Sequence, residues 1–479
     1  MSRAVSFTAR RPHPSGDEGQ YPARRRWEGE GGTRRLLSVF LLALALLLYG
    51  MSTAEAAVQR VVSPQGIEAW LIEDRGNPLI SIAIGFRGGA AADPAGKEGL
   101  ARLVAGLLDE GAGDLDSTAF QAEIADRGID FGFTADKDNV TGRVRTLTRD
   151  RDEAFRLLRL ALTAPRFDDA AIKRVRAQLL SALSRDAGNP QMIASHAWMR
   201  LELGDHPYGR SAKGTPAGLA AIAAADLHGF VARRFGRDQM RIAVVGDIDA
   251  AALAPLLDRT FAALPAKAGP IMVPPGRVAA EGGAAVVDQD LAQSIINFGH
   301  GGIARDDPDF YAAVLLDDIM GGGNFDSRLV KSLREQRGLV YSVETNLETF
   351  DQAALLAGSL GTKNASAGEA VALVRAEWQR MHDDGPSEAE LAGAKIHVIG
   401  GFPLRFTSTA SAASTLLGIQ LDGLPIDYPE KRAALYRAVS LADAKRVARR
   451  LYDPAALRFL ALGRPEGVTA TLPAPAPAN

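Results

Sequence analysis

Apolar and polar residues alternate with two different periods along this chain. Residues 58–73 and 78–87 alternate with the period of two that predicts strands, with Ile80, Ile82 and Ile84 on one face. Longer spacings of three to four residues predict helices. The first half is expected to hold a helix at 98–108, hairpin strands at 128–143 and helices at 151–162 and 168–185. The second half is expected to hold strands at 284–300, a helix at 310–319, hairpin strands at 342–358 and helices at 365–383 and 387–401.

An internal duplication is visible in this pattern. Phe230-Val-Ala-Arg-Arg-Phe235 leads into the apolar run Met240-Arg-Ile-Ala-Val-Val-Gly246. Arg446-Val-Ala-Arg-Arg-Leu451 leads in the same way into Leu457-Arg-Phe-Leu-Ala-Leu-Gly463. A repeat at so long a period indicates two copies of a whole domain rather than a solenoid. Mixed strands and helices in each copy predict an α+β fold, with helices on one face of a largely antiparallel sheet.

Composition shifts place the domain boundaries. We expect an N-terminal extension and signal peptide at residues 1–56 and an N-terminal domain at 57–264. A proline-rich linker at 265–282 and a C-terminal domain at 283–470 follow, and a Pro/Ala tail at 471–479 has nothing to bury.

The first 56 residues indicate export. Arg34-Arg35 precedes the apolar run 36–49 and the small-residue site Ala54-Glu55-Ala56, as in a secretory signal cleaved near Ala56 or Ala57. An uncleaved membrane anchor is the second choice because the apolar run is short for a bilayer span. The paired arginines suggest twin-arginine export, but the residues that follow them match such a signal imperfectly. Residues 1–33 are either a disordered extension or the product of a start codon placed too early. We expect a soluble periplasmic protein.

Charge and cysteine content exclude several classes of function. The 479 residues carry a formal net charge of −2 with dispersed basic residues, which argues against nucleic-acid binding. Residues 1–56 hold eight of the 55 basic and five of the 57 acidic residues, so the remainder, with 47 and 52, is mildly acidic. The absence of cysteine excludes thiol nucleophiles, Cys-ligated metals and disulfides.

The most informative stretch is a glycine-rich loop followed by a short helical pattern. Three consecutive glycines, Gly321, Gly322 and Gly323, predict a loop whose backbone another group must approach closely. Helical spacing at 327–336 ends at Gly338, and an extended segment begins at Tyr341, so Arg334 and Tyr341 flank a helix-to-strand turn. There a guanidinium and a phenol can hold a peptide carbonyl or a developing oxyanion. A solvated arginine and a core tyrosine are the alternative.

This stretch resembles the second-half signature of the pitrilysin, insulinase and mitochondrial-processing-peptidase family of zinc peptidases. The family has a glycine-rich loop, then Ser-Arg-Leu, then an arginine seven residues ahead of a tyrosine, which Arg334 and Tyr341 match. The resemblance covers most of the chain after residue 57 and implies two homologous lobes that form half of a clam-shell. Further matching stretches are Gly400-Gly-Phe-Pro-Leu-Arg-Phe406, Gly423-Leu-Pro-Ile-Asp-Tyr428 and His206-Pro-Tyr-Gly-Arg210.

The zinc motif of the family is degenerate in this chain. Catalytic members carry His-x-x-Glu-His on the first helix, with two metal ligands on one helix face and a general base beside them. Here Arg102 stands in place of the first histidine, Ala105 in place of the base and Gly106 in place of the second histidine. A further metal-binding glutamate is expected downstream, but no glutamate occurs between Glu153 and Glu202. We therefore predict no metal in this chain.

Other sequence features offer no substitute metal site. Asp109-Glu110 is expected to be a solvated acidic pair. We give a structural role to all seven histidines, no two of which are spaced by three or four residues: His13, His196, His206, His228, His300, His382 and His397.

The resemblance implies a non-catalytic, substrate-binding subunit of a periplasmic zinc endopeptidase, inactive alone. A homologous zinc-bearing partner would form the heterodimer and hold the zinc. Arg334 would bind a substrate carbonyl, and Tyr341 would donate a hydrogen bond to the oxyanion at the partner's zinc. Gly321, Gly322 and Gly323 would line the wall along which the peptide lies, and Arg328 and Arg337 would form structural salt bridges. The alternative is a peptide-binding or structural scaffold, because relatives serve as core subunits of respiratory complexes. A self-sufficient peptidase requires ligands that are missing.

Overall fold

The computed structural model describes residues 57–323 and 325–475. The predicted extension and signal peptide (1–56) and the last four residues of the predicted tail (476–479) lie outside the described residues. Two β-sheets with their helices account for the described chain, and each sheet with the helices of its own half of the chain is called a lobe.

The first lobe is built on a six-stranded sheet in the order β1-β2-β6-β3-β5-β4. Neighbouring strands are antiparallel except for the parallel pair β2 and β6. The six strands are β1 (Gln59–Val62), β2 (Glu68–Glu73), β3 (Leu79–Arg87), β4 (Asp130–Ala135), β5 (Asn139–Leu147) and β6 (Met240–Gly246).

The second lobe repeats this topology in a five-stranded sheet of order β7-β11-β8-β10-β9. Its closing strand β11 is parallel to β7 and antiparallel to β8, as β6 is to β2 and β3. The shared arrangement agrees with the duplication found in the sequence. The five strands are β7 (Gly283–Asp288), β8 (Gln293–Gly301), β9 (Val340–Thr349), β10 (Ala354–Lys363) and β11 (Arg458–Gly463).

Helices cover the sheets in both lobes. The first lobe contains α1 (Leu100–Ala105), α2 (Ser117–Asp126), α3 (Arg151–Thr163), α4 (Asp169–Ala187), α5 (Pro190–Leu203), α6 (Pro216–Ala221), α7 (Ala224–Arg234) and α8 (Ala250–Phe261). The second lobe contains α9 (Phe310–Met320), α10 (Ala367–Asp384), α11 (Glu388–Gly401), α12 (Thr409–Leu421), α13 (Tyr428–Ala438) and α14 (Leu441–Leu451), with a π-helical turn at Val330–Glu335. The α+β class is confirmed.

Each lobe has its own apolar core on the helix-covered face of its sheet. In the first lobe, Ile80, Ile82 and Ile84 are all buried in this core, as their alternation predicted. Their neighbours Ser81 and Ala83 point to the opposite face and are buried as well. The sheet is therefore covered on both faces.

The second cover of each sheet is a helix exchanged between the lobes. α12 of the second lobe packs its Leu416 and Ala412 on Trp70, Ala83 and Val245 of the first sheet. In the reverse direction, α5 of the first lobe packs on the second sheet through an apolar cluster of Ala194, Trp198, Ala285, Ile295, Ala357, Leu460 and Leu462. The sequence predicted helices on one face only, and the structure adds this exchanged helix on the other face.

The His206-Pro-Tyr-Gly stretch makes further contacts between the two lobes. Tyr208 is fully buried, donates its hydroxyl hydrogen to Asp138 of the β4–β5 turn and accepts from the Gln352 N–H of the β9–β10 turn at 3.1 Å. Its ring stacks on Phe350 with centroids 4.7 Å apart. His206 adds a hydrogen bond to the Pro274 carbonyl at 2.8 Å, so the stretch ties both hairpins to the connecting segment.

Among residues 57–323 and 325–475, no helix combines the length and hydropathy needed to span a bilayer.

The exchanged helix α5 contains a buried carboxyl group that makes stability depend on pH. Glu202 is 1% exposed, neither oxygen has a hydrogen-bond partner, and the nearest cation, Arg458, lies 4.0 Å away. Burial raises the pKa of Glu202 to about 8, although Arg458 acts in the opposite direction. The neutral acid is the form that the fold favours. Its stabilising contribution is complete below pH 4.5 and is lost as the pH rises towards 8.

We predict that Glu202→Gln, a neutral mimic, raises the free energy of unfolding at pH 8 by roughly 2–4 kcal/mol and changes it little at pH 5. Thermal unfolding followed by circular dichroism at the two pH values measures this difference. Glu281→Gln, at an exposed position, is the control and should change neither. Equal stability of wild type and Glu202→Gln at pH 8 would show that the carboxyl is not held neutral.

Candidate functional site

The sequence-predicted pair lies at the open edge of the second sheet. Arg334 lies in the π-helical turn, which is marked by a hydrogen bond from Gln336 N to Lys331 O at 3.0 Å. The chain reverses at Gly338, whose φ of +62° suits glycine. Tyr341 follows as the second residue of β9, the edge strand. The spacing at 327–336 predicted a helix, and the structure has a π-helical turn at Val330–Glu335. Turns of this type occur often at functional sites.

A β-bulge determines the direction of Tyr341. Val340 pairs with Thr362, and Val343 pairs with Leu360, so Tyr341 and Ser342 together face a single residue of β10. Bulges of this kind bend an edge strand and redirect its side chains. Tyr341 is 86% exposed as a result, which contradicts the alternative of a core tyrosine.

Arg334 is positioned by aromatic rings. Its guanidinium carbon lies 5.5 Å from the ring centroid of Tyr341 and 5.5 Å from that of Phe325. Contacts of this kind are worth roughly 0.5–1 kcal/mol at exposed sites. Phe325 is 74% exposed, and sequence reasoning gave it no role. An apolar residue in an otherwise polar glycine-rich loop was the signal that could have identified it.

The glycine-rich loop is closely approached by its own chain. Gly321 O accepts a hydrogen bond from Thr345 N of β9 at 3.0 Å, which closes part of the sheet edge. A Cβ added at Gly322 would lie 2.7 Å from the Asp318 Cα. Gly321 is buried, Gly322 is half-buried and Gly323 is exposed. Gly323 is therefore the member of the triplet that a ligand reaches most directly.

The neighbouring arginines have the structural role expected of them. Arg328 is buried and bonded to Glu390 at 2.7 Å, and it also donates to the Gly385 carbonyl. Arg337 pairs with Glu369 at 2.8 Å on the surface. These two predictions are confirmed.

The degenerate zinc positions lie on α1 and at its end. Arg102 donates a hydrogen bond to the Thr134 hydroxyl on the edge strand β4, and Ala105 is buried. The helix ends at Ala105, and a Cβ at Gly106 would lie 3.0 Å from the Val175 Cγ1 of α4. The space beside Gly106 is thus occupied by an aliphatic side chain.

The acidic pair after α1 is less solvated than predicted. Asp109 and Glu110 are both half-buried, and Glu110 accepts from the Ser117 hydroxyl at 2.5 Å and pairs with Arg174. Burial raises the pKa of Asp109 to about 6. Within the described part of the chain, no group of three histidine, cysteine or acidic side chains could hold a metal ion.

Three of the described histidines, His300, His382 and His397, contact other side chains of this chain. His300 is buried and accepts from the Trp378 indole N–H at 2.9 Å. His382 and His397 contact carboxylates, those of Asp383 and Asp318 respectively. His13 lies outside the described residues.

We predict that Gly322→Ala destabilises the protein by roughly 1–3 kcal/mol, because its Cβ would collide with the backbone of Asp318. Thermal unfolding measures the effect. Gly393→Ala is the control: this exposed glycine inside α11 has open space around its Cβ position, so alanine should stabilise by about 0.5–1 kcal/mol. An unchanged melting temperature for Gly322→Ala would contradict the close approach.

Comparison with known proteins agrees with this geometry. Residues 221–397 match the family model described as the peptidase M16 inactive domain. The non-peptidase homolog YmxG of Helicobacter pylori is 25% identical over 405 residues, 84% of this chain and 93% of that protein. An uncharacterized zinc protease of Mycobacterium tuberculosis is 26% identical over 252 residues, 52% of this chain and 57% of that protein. The crystal structure of a peptidase M16 inactive domain from Pseudomonas fluorescens superimposes with a TM-score of 0.79 at 26% identity, covering 87% of this chain and 99% of that one. The likeness to the peptidase M16 inactive domain and to a non-peptidase homolog confirms the resemblance to the pitrilysin, insulinase and mitochondrial-processing-peptidase family, and this chain lacks the His-x-x-Glu-His motif.

Proposed function

We propose that this chain is the non-catalytic, substrate-binding subunit of a periplasmic zinc metalloendopeptidase that cleaves peptides or unfolded segments. The observation that carries the proposal is the pair of half-buried Arg334 and exposed Tyr341 in a chain whose zinc motif is degenerate. A phenol presented at 86% exposure on a bulged edge strand is available to a second molecule. A structural tyrosine would normally bury its ring.

Tyr341 would donate a hydrogen bond to the oxyanion that develops on the substrate carbonyl during cleavage. Among the described residues its hydroxyl has no hydrogen-bond partner, so the proton is available for this role. A fixed donor at the developing charge lowers the barrier because the donor does not have to be reorganised during the reaction. The homologous partner subunit would hold the zinc, which would supply the Lewis acid for the reaction.

Arg334 binds a carbonyl of the substrate. In the described part of the chain its guanidinium has no acidic partner and is oriented by the Tyr341 and Phe325 rings. Its N–H groups therefore remain available for a peptide. A guanidinium presents several donors in one plane, which suits a peptide backbone.

The glycine-rich loop and β9 form the wall along which the substrate lies. Thr345 N is already bonded to Gly321 O, so the edge is closed there. The backbone between that point and the bulge at Tyr341 remains without a neighbouring strand, because β9 is the last strand of its sheet. An extended peptide can pair with such an edge and contact exposed Gly323.

The sequence supports the location and the partner. An apolar run after Arg34-Arg35, followed by Ala54-Glu55-Ala56, supports export to the periplasm. The match to an inactive domain and the likeness to a protein named a non-peptidase homolog support a subunit that works with an active relative. A neighbouring gene that encodes a similar chain with His-x-x-Glu-His would identify that partner.

We predict that, in the complex with this partner, Tyr341→Phe lowers kcat for peptide cleavage on the order of 10²-fold, because one oxyanion donor is lost. Arg334→Ala should lower kcat/KM by weakening substrate binding. Turnover of a fluorogenic peptide by the co-expressed subunits measures both. The matched controls are Ser342→Ala in the same bulge and Arg337→Ala near the same turn, and both should keep activity.

Circular dichroism and co-purification with the partner must be unchanged in the Tyr341→Phe and Arg334→Ala variants for the comparison to hold. If both variants turn over at the wild-type rate, the pair has no part in proteolysis. The chain would then be a scaffold.

We also predict that the purified chain alone binds no stoichiometric zinc and cleaves no peptide. Arg102, Ala105 and Gly106 supply no metal ligand, and Val175 lies beside the last of these positions. Elemental analysis by mass spectrometry measures the zinc, with the co-expressed complex as the positive control. Tightly bound zinc in the isolated chain, with hydrolysis that a chelator abolishes, would disprove the assignment.

A further inference from the structure

A cavity of about 590 Å³ lies where the end of α12 meets the first sheet. The β1–β2 turn and the start of β2 form one side, and the turn Arg237–Gln239 with the start of β6 forms another. Gly423 and Leu424, which follow α12, also line the cavity, so both lobes contribute to it. Neither Arg334 nor Tyr341 lines it, so the proposed role in proteolysis does not use this cavity.

Arg237 presents unused hydrogen-bond donors to the cavity. Its guanidinium forms no hydrogen bond and no ion pair with any described residue. The Nε atom is buried, whereas the two Nη groups keep accessible surface and are the donors that a ligand can reach. The backbone of this turn is held in place, because the Arg237 backbone N–H is bonded to the Pro265 carbonyl at 2.9 Å.

Arg241 adds a second guanidinium with free donors. Its Nη1 donates to the backbone carbonyls of Met240 at 2.8 Å and Asp238 at 3.3 Å, which positions the group. In the part of the chain that the structure describes, its Nε and Nη2 have no hydrogen-bond partner, and no carboxylate lies within ion-pair distance of it. An oxyanion is the acceptor that both guanidinium groups lack.

Two carboxylates border the same cavity, but hydrogen bonds already engage them. Glu68 accepts from Arg60 at 2.6 Å and from the Trp70 indole N–H at 3.2 Å. Asp238 is exposed and accepts from the Ala268 N–H at 2.8 Å. With Arg60 included, three guanidinium groups stand against two carboxylates, and this balance favours an anionic ligand.

A buried amide adds an acceptor to the cavity. Gln420 of α12 is 6% exposed and lines the cavity. Its Nε2 donates to the Ile242 carbonyl at 3.0 Å, which identifies Oε1 as the free end of the amide. Within the described chain Oε1 accepts no hydrogen bond, and it keeps accessible surface. Half-buried Leu424 supplies an apolar contact beside it.

We propose that this cavity binds the C-terminal end of a peptide whose last residue is apolar. Arg237 and Arg241 hold the terminal carboxylate, for which a guanidinium has a matching fork of donors. Gln420 Oε1 accepts a hydrogen bond from a peptide N–H, and the last side chain contacts Leu424. The volume lies within the usual range for ligand pockets and suits a short peptide end.

The test is isothermal titration calorimetry of the full chain with acetyl-Ala-Ala-Leu, either as the free acid or as the C-terminal amide. The acetyl group removes the ammonium, so neither probe can bind through an ion pair with Glu68 or Asp238. The acid should bind roughly tenfold more tightly than the amide or better, because only the acid forms charge-assisted bonds to the arginines. Arg237→Gln and Arg241→Gln should each weaken binding of the acid by a similar factor and change binding of the amide little.

Arg233→Gln, at an exposed position of α7 outside the cavity, is the matched control and should leave binding unchanged. The Arg237 side chain bonds to no described residue, so Arg237→Gln keeps the test valid even if Arg241→Gln fails to fold. The proposal is wrong if neither peptide binds or if the acid and the amide bind equally.

It is also wrong if sodium acetate binds as tightly as the peptide acid, since acetate engages neither Gln420 nor Leu424. None of these outcomes involves Tyr341 or a partner subunit, so they are independent of the proposed role in proteolysis.

Discussion

The exchange of helices α5 and α12 between the lobes is the constraint on which the rest of the structure depends. A sheet with two apolar faces needs two covers, and each lobe supplies only one of its own. α12 covers the first sheet and is fixed by polar contacts at both ends: Thr409 to Ser81 at 2.9 Å, and Gln420 to the Ile242 carbonyl at 3.0 Å. Neither lobe completes its burial without the other, so the two are expected to fold as one cooperative unit.

This constraint determines where movement is possible. The buried Tyr208 ties the β4–β5 and β9–β10 turns together, and Arg87 adds an ion pair to Asp351 and a bond to the Leu421 carbonyl. Opening the described chain between its lobes would break these contacts and expose two apolar helix faces. In the proposed complex, a clam-shell opening would therefore take place between this chain and the partner. The edge strand that carries Tyr341 is presented by a rigid support, which suits the role proposed for this residue at the reaction centre of a partner.

The limits of sequence reasoning follow from the range of the interactions involved. Local periodicity placed most strands and helices of both lobes, because burial on one face imposes a period of two or of about three and a half. The duplication and the loss of the zinc motif could also be read from residue types. The exchange of α5 and α12 could not, since it joins segments that lie far apart in the sequence. The same holds for the bulge at Tyr341, which depends on the register of β10, and for Phe325, whose partner Arg334 is reached only through the π-helical turn.

The C-terminal ends of α1 and α9 differ in their surroundings. α1 follows β3 and α9 follows β8, so the shared topology gives these helices corresponding places. In the first lobe the helix ends at Gly106, and Val175 of α4 fills the space beside it. In the second lobe the end of α9 carries Asp317 and Asp318 and faces a cavity across from His397 of α11. Buried carboxyl groups occur in both lobes, at Glu202 and at Asp317, so the burial of a carboxyl group alone does not distinguish the two lobes. The difference between the lobes is confined to this helix end: an aliphatic side chain fills the space beside it in the first lobe, and polar side chains surround it in the second.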